Sequence, residues 1–251
     1  MKSYGQYCPV ARAAEILSQR WTVLLLRDLL GGIRRFNELR KGVPLMSPSL
    51  LSKRLKELEH AGLVVRRPMA KGRALEYVPT PAANELRPMI YLLGAWGQRW
   101  LRNSLMDAEL DVSLLMWDVS LHLDPAQFGP GQTVIKFEYS DRPRLKKDNW
   151  WLDKWWLVMT NGESDLCIQD PGFDIDLFVV SDLRAMTEVW LGYNPVKEAL
   201  SSGVIDLHGS RPLAETFERW WPLSFNTQFK TLPGPLDLQQ IFDAAQTVAD
   251  E

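Results

Sequence analysis

The chain has 251 residues, 46% of them apolar and 24% charged, a balance that excludes a disordered or fibrous polypeptide and fits one large or two ordinary globular domains. Its net charge of -2 conceals a division, because residues 1–103 carry 18 Lys+Arg against 7 Asp+Glu while residues 104–251 carry 11 against 24. A basic segment of that size attracts polyanions and the acidic remainder repels them, which points to a binding domain joined to an appendage.

No stretch reaches the ~18 uninterrupted apolar residues of a membrane span, and the first ten residues lack a signal-like apolar run, so a cytoplasmic protein without a membrane partner is expected. Cys8 and Cys167 stand far apart with no CxxC pair and no flanking histidines. Reduced thiols are expected, and neither a disulfide framework, a metal site nor a cofactor.

Residues 8–30, CPVARAAEILSQRWTVLLLRDLL, place apolar side chains at helical spacing with an interruption at 18–20, which predicts two short helices stopped by Gly31-Gly32. A short basic helix follows at 36–41 and ends at Gly42-Val43-Pro44, since proline disfavours helical geometry in the residue before it. Ser47-Pro48 then opens a helix to about residue 60: the serine caps free amides, and proline in the first turn forfeits no bond. At 100° per residue Leu51, Leu55 and Leu58 share one face, with Ser49, Ser52, Lys53, Lys56 and His60 opposite.

Two strands at 63–67 and 74–78, joined by a tip holding Lys71 and Arg73, read as a basic hairpin. Thr80-Pro81 opens a long helix to about residue 101 with Leu86, Ile90, Leu93, Trp96, Gly97 and Trp100 near one stripe, and Pro88 predicts a kink in it.

The texture changes near 103–112. Strands are expected at 133–139, 155–160, 166–169 and 174–180, helices at 181–191 and 195–201, a strand at 204–208 and a closing helix at 213–220. Eight of the eleven tryptophans lie in this half. The expected domains are 1–103 for DNA binding and dimerisation, 112–230 for an α+β unit, and 231–251 as a C-terminal tail or helix.

The order of three helices, a polar-faced capped helix and a basic hairpin is that of a winged helix-turn-helix, in which the capped helix enters the major groove. Beyond that order, Cys8-Pro9, Trp21, Arg34-Phe36-Asn37-Glu38-Leu39, Ser52-Lys53-Arg54-Leu55, Leu58-Glu59, Gly62-Leu63-Val64, Tyr77 with Thr80-Pro81, and 86–96 resemble the HxlR family of bacterial transcription regulators across roughly residues 8–101. The resemblance implies a homodimer built through the N-terminal region and the helix near 81–101, acting on a two-fold related double-stranded DNA operator. Half-sites would then lie roughly 10 to 10.5 base pairs apart.

Chemistry apportions the candidate DNA contacts. Ser47, Ser49, Ser52, Lys53, Arg54 and Lys56 lie on or beside the capped helix, within reach of base edges and adjacent phosphates. Arg34, Arg35, Lys41, Arg67, Lys71 and Arg73 are phosphate partners. An ordinary solvated helix face has the same composition, so the hairpin and the family pattern carry the assignment. The resemblance also implies redox sensing at Cys8, where a thiolate beside basic residues is reactive, against the commoner inert thiol.

Residues 150–221 resemble the sterol carrier protein fold, through the alternating DIDLFVV, the helix opened by Ser181-Asp182, the Ala199 to Gly203 helix end and Gly209-Ser210. That fold packs a sheet on helices around an apolar tunnel, so Trp151, Trp155, Trp156, Phe173, Ile175, Leu177 and Trp190 are candidate pocket residues for a small apolar effector, though the tryptophans suit an interface equally. Asp174 and Asp176 fall on the polar side of their strand and are expected to be solvated. With no nucleophile elbow and no GxGxxG after a strand, no enzyme is expected. The reading is an α+β, dimeric, HxlR-type repressor with an effector-sensing second domain; the alternative is a lipid-like carrier or sensor with weak DNA binding.

Overall fold

The computed structural model describes residues 3–69, 74–101, 105–140 and 154–224, together with 227, 239, 241 and 243. Lys2, Lys71, Arg73, Trp150 and Trp151 lie outside them, as does nearly all of the 231–251 tail. The chain separates into two compact units, Met1–Trp96 with Leu232–Glu251, and Gly97–Thr231. The divide thus falls ahead of the change in composition at 103–112.

In the first unit α1 (Pro9–Leu17) and α2 (Thr22–Leu30) flank the interruption, where Trp21 takes a left-handed backbone (φ 79°) and the Arg20 guanidinium lies over its ring at 5.1 Å. Then come α3 (Phe36–Gly42), α4 (Pro48–His60), and the antiparallel strands β1 (Val64–Pro68) and β2 (Leu75–Pro79), paired from Val64↔Pro79 to Pro68↔Leu75. Leu25, Leu26, Leu29, Leu39, Leu51 and Leu55 are fully buried and form the centre of this unit. Each contributes about 1.5 to 3 kcal/mol of hydrophobic stabilisation. The kink expected at Pro88 is instead a break: α5 (Pro81–Asn84) ends and α6 (Arg87–Trp100) begins. Pro88 thereby sits in a first turn, where its missing amide costs nothing.

The second unit holds α7 (Val112–His122) and a five-stranded sheet of β3 (Gln132–Tyr139), β4 (Lys154–Thr160), β5 (Glu163–Cys167), β6 (Leu177–Ser181) and β7 (Ile205–Gly209), ordered β5-β4-β3-β6-β7. Among the described residues only the β3–β6 pair is parallel. Helices α8 (Leu183–Trp190), α9 (Val196–Ser201), α10 (Arg211–Glu215) and α11 (Phe217–Trp220) complete it. Met116 of α7, Phe137, Leu157 and Leu177 of the sheet, and Met186 and Phe217 from the helices share one apolar core.

Several boundaries differ from the sequence expectation for local reasons. The third strand starts at Glu163 because Asn161 and Gly162, both left-handed (φ 52° and 83°), make a two-residue hairpin turn that pairs Thr160 with Glu163. The fourth begins at Leu177; Asp174 and Asp176 ahead of it are exposed, and the Asp176 carboxylate also accepts the Val134 amide at 2.8 Å. The closing helix divides at Thr216 into α10 and α11. α7 went unanticipated because its apolar residues surround it instead of forming a stripe, and Val112, Leu115, Met116, Trp117 and Val119 are all buried.

Truncation of Phe137, which is fully buried, is expected to cost about 3 to 5 kcal/mol. Denaturant titration of Phe137→Ala followed by far-ultraviolet circular dichroism checks this.

Candidate nucleic-acid interface

The local chemistry of α4 sets its start and its rotation. The Leu50 amide donates to Ser47 Oγ at 3.3 Å, and Ser47 and Ser49 hydroxyls lie 3.2 Å apart, so Ser47 serves the helix end. On the inward side Leu51, Leu55 and Leu58 are almost wholly buried, whereas Ser49, Lys53, Lys56 and His60 are exposed and Ser52 is half-buried. The helix is thus divided between an apolar face and a face of hydroxyls and ammonium groups, as its spacing predicts.

Arg54 lies apart from that cationic face. It is only 8% exposed and is ion-paired with Glu57, three residues on. At three residues from Leu51 it falls on the inward side of the helix, where it lines a narrow crevice with Ile16, Gln19, Thr22 and Leu58. The structure therefore places Arg54 as an internal residue, not beside Lys53 and Lys56.

Around α4 the other predicted cations occupy three positions. Arg35 is exposed and 3.5 Å from Glu38, and Lys41 is exposed in the last turn of α3. On the wing, Arg67 is exposed and its Nε donates to Glu76 across the hairpin at 2.7 Å. Arg34 is half-buried and donates to the Leu29 carbonyl. Burial holds its pKa below the ordinary guanidinium value, Glu76 opposes this, and Arg87 and Arg67 reinforce it. Arg66, also exposed on β1, and Arg40, exposed on α3, extend the cationic surface beyond the sequence assignment. Cys8 is a free, half-buried thiol at the start of α1.

Sequence reasoning missed Asp28. It sits in the apolar run of α2, is 5% exposed, and accepts from Arg27 Nε at 2.7 Å through Oδ1, while Oδ2 is buried with no hydrogen-bond partner. A methyl group placed on Gly42 would collide with this carboxylate. Arg27 also donates to the Gly42 carbonyl at 3.2 Å. Asp28 therefore packs directly against the end of α3, two residues before the proline that leads toward α4. The signal was visible as a lone carboxylate three residues from Leu25 and one from Leu29, both fully buried.

The candidate effector residues of the second unit separate. Trp155, Leu177 and Trp190 enter the core shared with the helices, whereas Trp156 packs with Val134, Val158 and Ile175 on the opposite face, and Phe173 is 47% exposed. Consecutive strand residues point to opposite faces, so Trp155 and Trp156 cannot line one cavity. On the second face Lys136 Nζ lies 5.5 Å from the Trp156 ring and 5.4 Å from Phe178, and 2.5 Å from Glu138. Among the described residues no helix is long and apolar enough to cross a membrane.

Three helices, a capped helix with an outward basic face and an antiparallel hairpin define a winged helix-turn-helix domain. The family model for the HxlR-like helix-turn-helix matches residues 16–105. The chain is 36% identical over 105 residues to the HTH-type transcriptional regulator YvaP of Bacillus subtilis, an alignment spanning 41% of this chain and 97% of that protein. Against the HTH-type transcriptional regulator sll1512 of Synechocystis it is 31% identical, over 42% of this chain and 79% of the relative. A solved structure, the reduced form of the transcriptional regulator YodB from B. subtilis, is 29% identical with a TM-score of 0.34, covering 38% of this chain and 95% of that one. The chain belongs to the HxlR-like helix-turn-helix family and is a DNA-binding transcription regulator.

Burial raises the Asp28 pKa, with Arg27 opposing. The folded state then retains a proton over a pH range in which the unfolded chain has lost it. The linked stability is complete below the ordinary aspartate value of about 4 and is lost as pH rises through the higher folded value. Asp28→Asn is expected to remove that decline, which denaturation midpoints between pH 4 and pH 8 will show as a flatter profile. Gly42→Ala should destabilise by about 1 to 3 kcal/mol through overpacking against the same carboxylate, read from denaturant midpoints at neutral pH.

Proposed function

We propose that the protein represses transcription from the cytoplasm as a homodimer that sets two copies of α4 into major-groove half-sites about 10 base pairs apart. The observation that carries this reading is the rotation of α4: its leucines are buried, so Lys53 and Lys56 project outward beside Ser49 and Ser52. Those four residues read base edges and the adjoining phosphates. Arg35, Lys41 and Arg67, with Lys71 and Arg73 from the segment of sequence between the two strands, bind phosphates. Arg34 contributes its charge to the same set while holding Leu29, and Ser47 and Arg54 act through α4, setting its start and its seat.

Dimerisation is supported by apolar surface that the described residues leave uncovered. α1 has no buried residue, Val10 within it is 75% exposed, and Trp96 and Trp100 on α6 are 49% and 69% exposed. Indole surface of that extent is characteristic of an interface. The second unit, a sheet packed on helices as the sterol carrier resemblance implies, serves as the module through which a small apolar effector shifts the dimer toward a geometry with mismatched helix spacing.

Selection of bound fragments from genomic DNA should return a shared, roughly two-fold symmetric motif, and its absence would refute the reading. On that operator Lys53→Ala and Lys56→Ala should each weaken binding by about 1 to 3 kcal/mol where they read a base. Arg67→Ala should flatten the plot of log affinity against log salt by about 0.9, one phosphate contact. Fluorescence anisotropy at several salt concentrations measures both.

A further inference from the structure

The last turn of α2 gathers the elements that present the DNA-binding surface. A helix leaves its final carbonyls without partners in its own ladder, and cations are favoured beside them. Here the Gly31 amide donates to the Arg27 carbonyl at 2.9 Å and the Ile33 amide to that of Asp28 at 3.0 Å. The Leu29 carbonyl takes the Arg34 guanidinium, and Leu30 O accepts Arg87 Nη1 at 2.7 Å. Arg87 is the first residue of α6, 57 positions along the chain from Leu30, and is 8% exposed.

Each attachment leads to a different part of the interface. The Arg34 carbonyl accepts the Tyr77 amide of β2 at 2.9 Å, which suspends the wing from this turn. Arg27 and Asp28 hold Gly42 at the end of α3, ahead of α4. Arg87 joins the turn to α6. The cluster is not arranged for stability alone, since Arg87 Nε is buried without a hydrogen-bond partner and Arg34 has both Arg87 and Arg67 as like-charged neighbours. A buried guanidinium kept under those conditions supplies a fixed geometry.

We propose that Arg87 is a positioning residue that never touches DNA: by gripping the end of α2 it fixes the wing and the α3–α4 turn relative to α6, and so sets the half-site separation the protein accepts. This rests on the reading of α4 and the wing as the DNA surface and of α6 as part of the dimer contact. A residue acting in this way alters which operator spacing is preferred and leaves the number of phosphate contacts unchanged.

The test measures affinity for the selected operator and for versions lengthened or shortened by one base pair between half-sites, each at several salt concentrations. Arg87→Met is expected to reduce the preference for the native spacing by about 3- to 10-fold, a size typical of coupling residues remote from a ligand, with the salt slope unchanged. Arg87→Lys, which retains one donor and the charge, should recover part of the preference and serves if Arg87→Met does not fold. A flatter salt slope in either variant would make Arg87 a phosphate contact and overturn the proposal. So would an unaltered spacing preference in a folded variant, because a residue needed only for stability leaves that ratio unmoved. Failure of the unsubstituted full chain to bind any operator would instead overturn the DNA-binding reading on which the proposal stands.

Discussion

Leu51, Leu55 and Leu58 are almost entirely withdrawn from solvent, and because an α-helix repeats every 3.6 residues their burial leaves Lys53 and Lys56 no direction but outward. Rotating α4 to turn those lysines inward would expose three leucines and bury two ammonium groups, and each change is costly by itself. The DNA-facing surface is therefore fixed by packing on the opposite side of the same helix. Ser47 adds the starting point: by capping the Leu50 amide it settles which residue opens the helix.

Polar groups buried in the first unit cluster where elements meet. Asp28 packs on Gly42, Arg87 on the Leu30 carbonyl, and Arg54 lies between α4 and the residues of the α1–α2 turn. Each leaves one atom without a hydrogen-bond partner, so an all-apolar junction would be easier to stabilise. Hydrocarbon contacts tolerate sliding, whereas a guanidinium on one carbonyl accepts few geometries. These junctions give the helices definite orientations, which reading a duplex requires.

Most of the first unit was legible in the sequence because its signals are local. A serine-proline helix start, glycine stops, a 3.6-residue leucine spacing and a basic hairpin each act over a few residues, and α1 to α4 and the wing follow them. The roles of Arg54 and Arg34 were not legible, because a charged residue at a helix flank or loop reads as surface until its three-dimensional neighbours are known. Arg87 was hidden for a different reason: its partner lies 57 residues away. In the second unit the alternation of β4 was visible, yet it already required Trp155 and Trp156 to face opposite ways, so a single pocket holding both was inconsistent with the strand expectation. The Asn161-Gly162 dipeptide was a readable turn signal that places the start of β5, and α7 lacked any stripe to read.

Placement of the outward face of α4 in the major groove of an operator can be read by attaching a DNA-cleaving iron chelate to position 49 of the Ser49→Cys chain, with Cys8 and Cys167 replaced by serine, and mapping strand scission on the selected operator. Two clusters of cleavage separated by about one helical turn, 10 to 10.5 base pairs, are expected from that placement. Uniform scission along the fragment, or cleavage no different from that by free chelate, would contradict it.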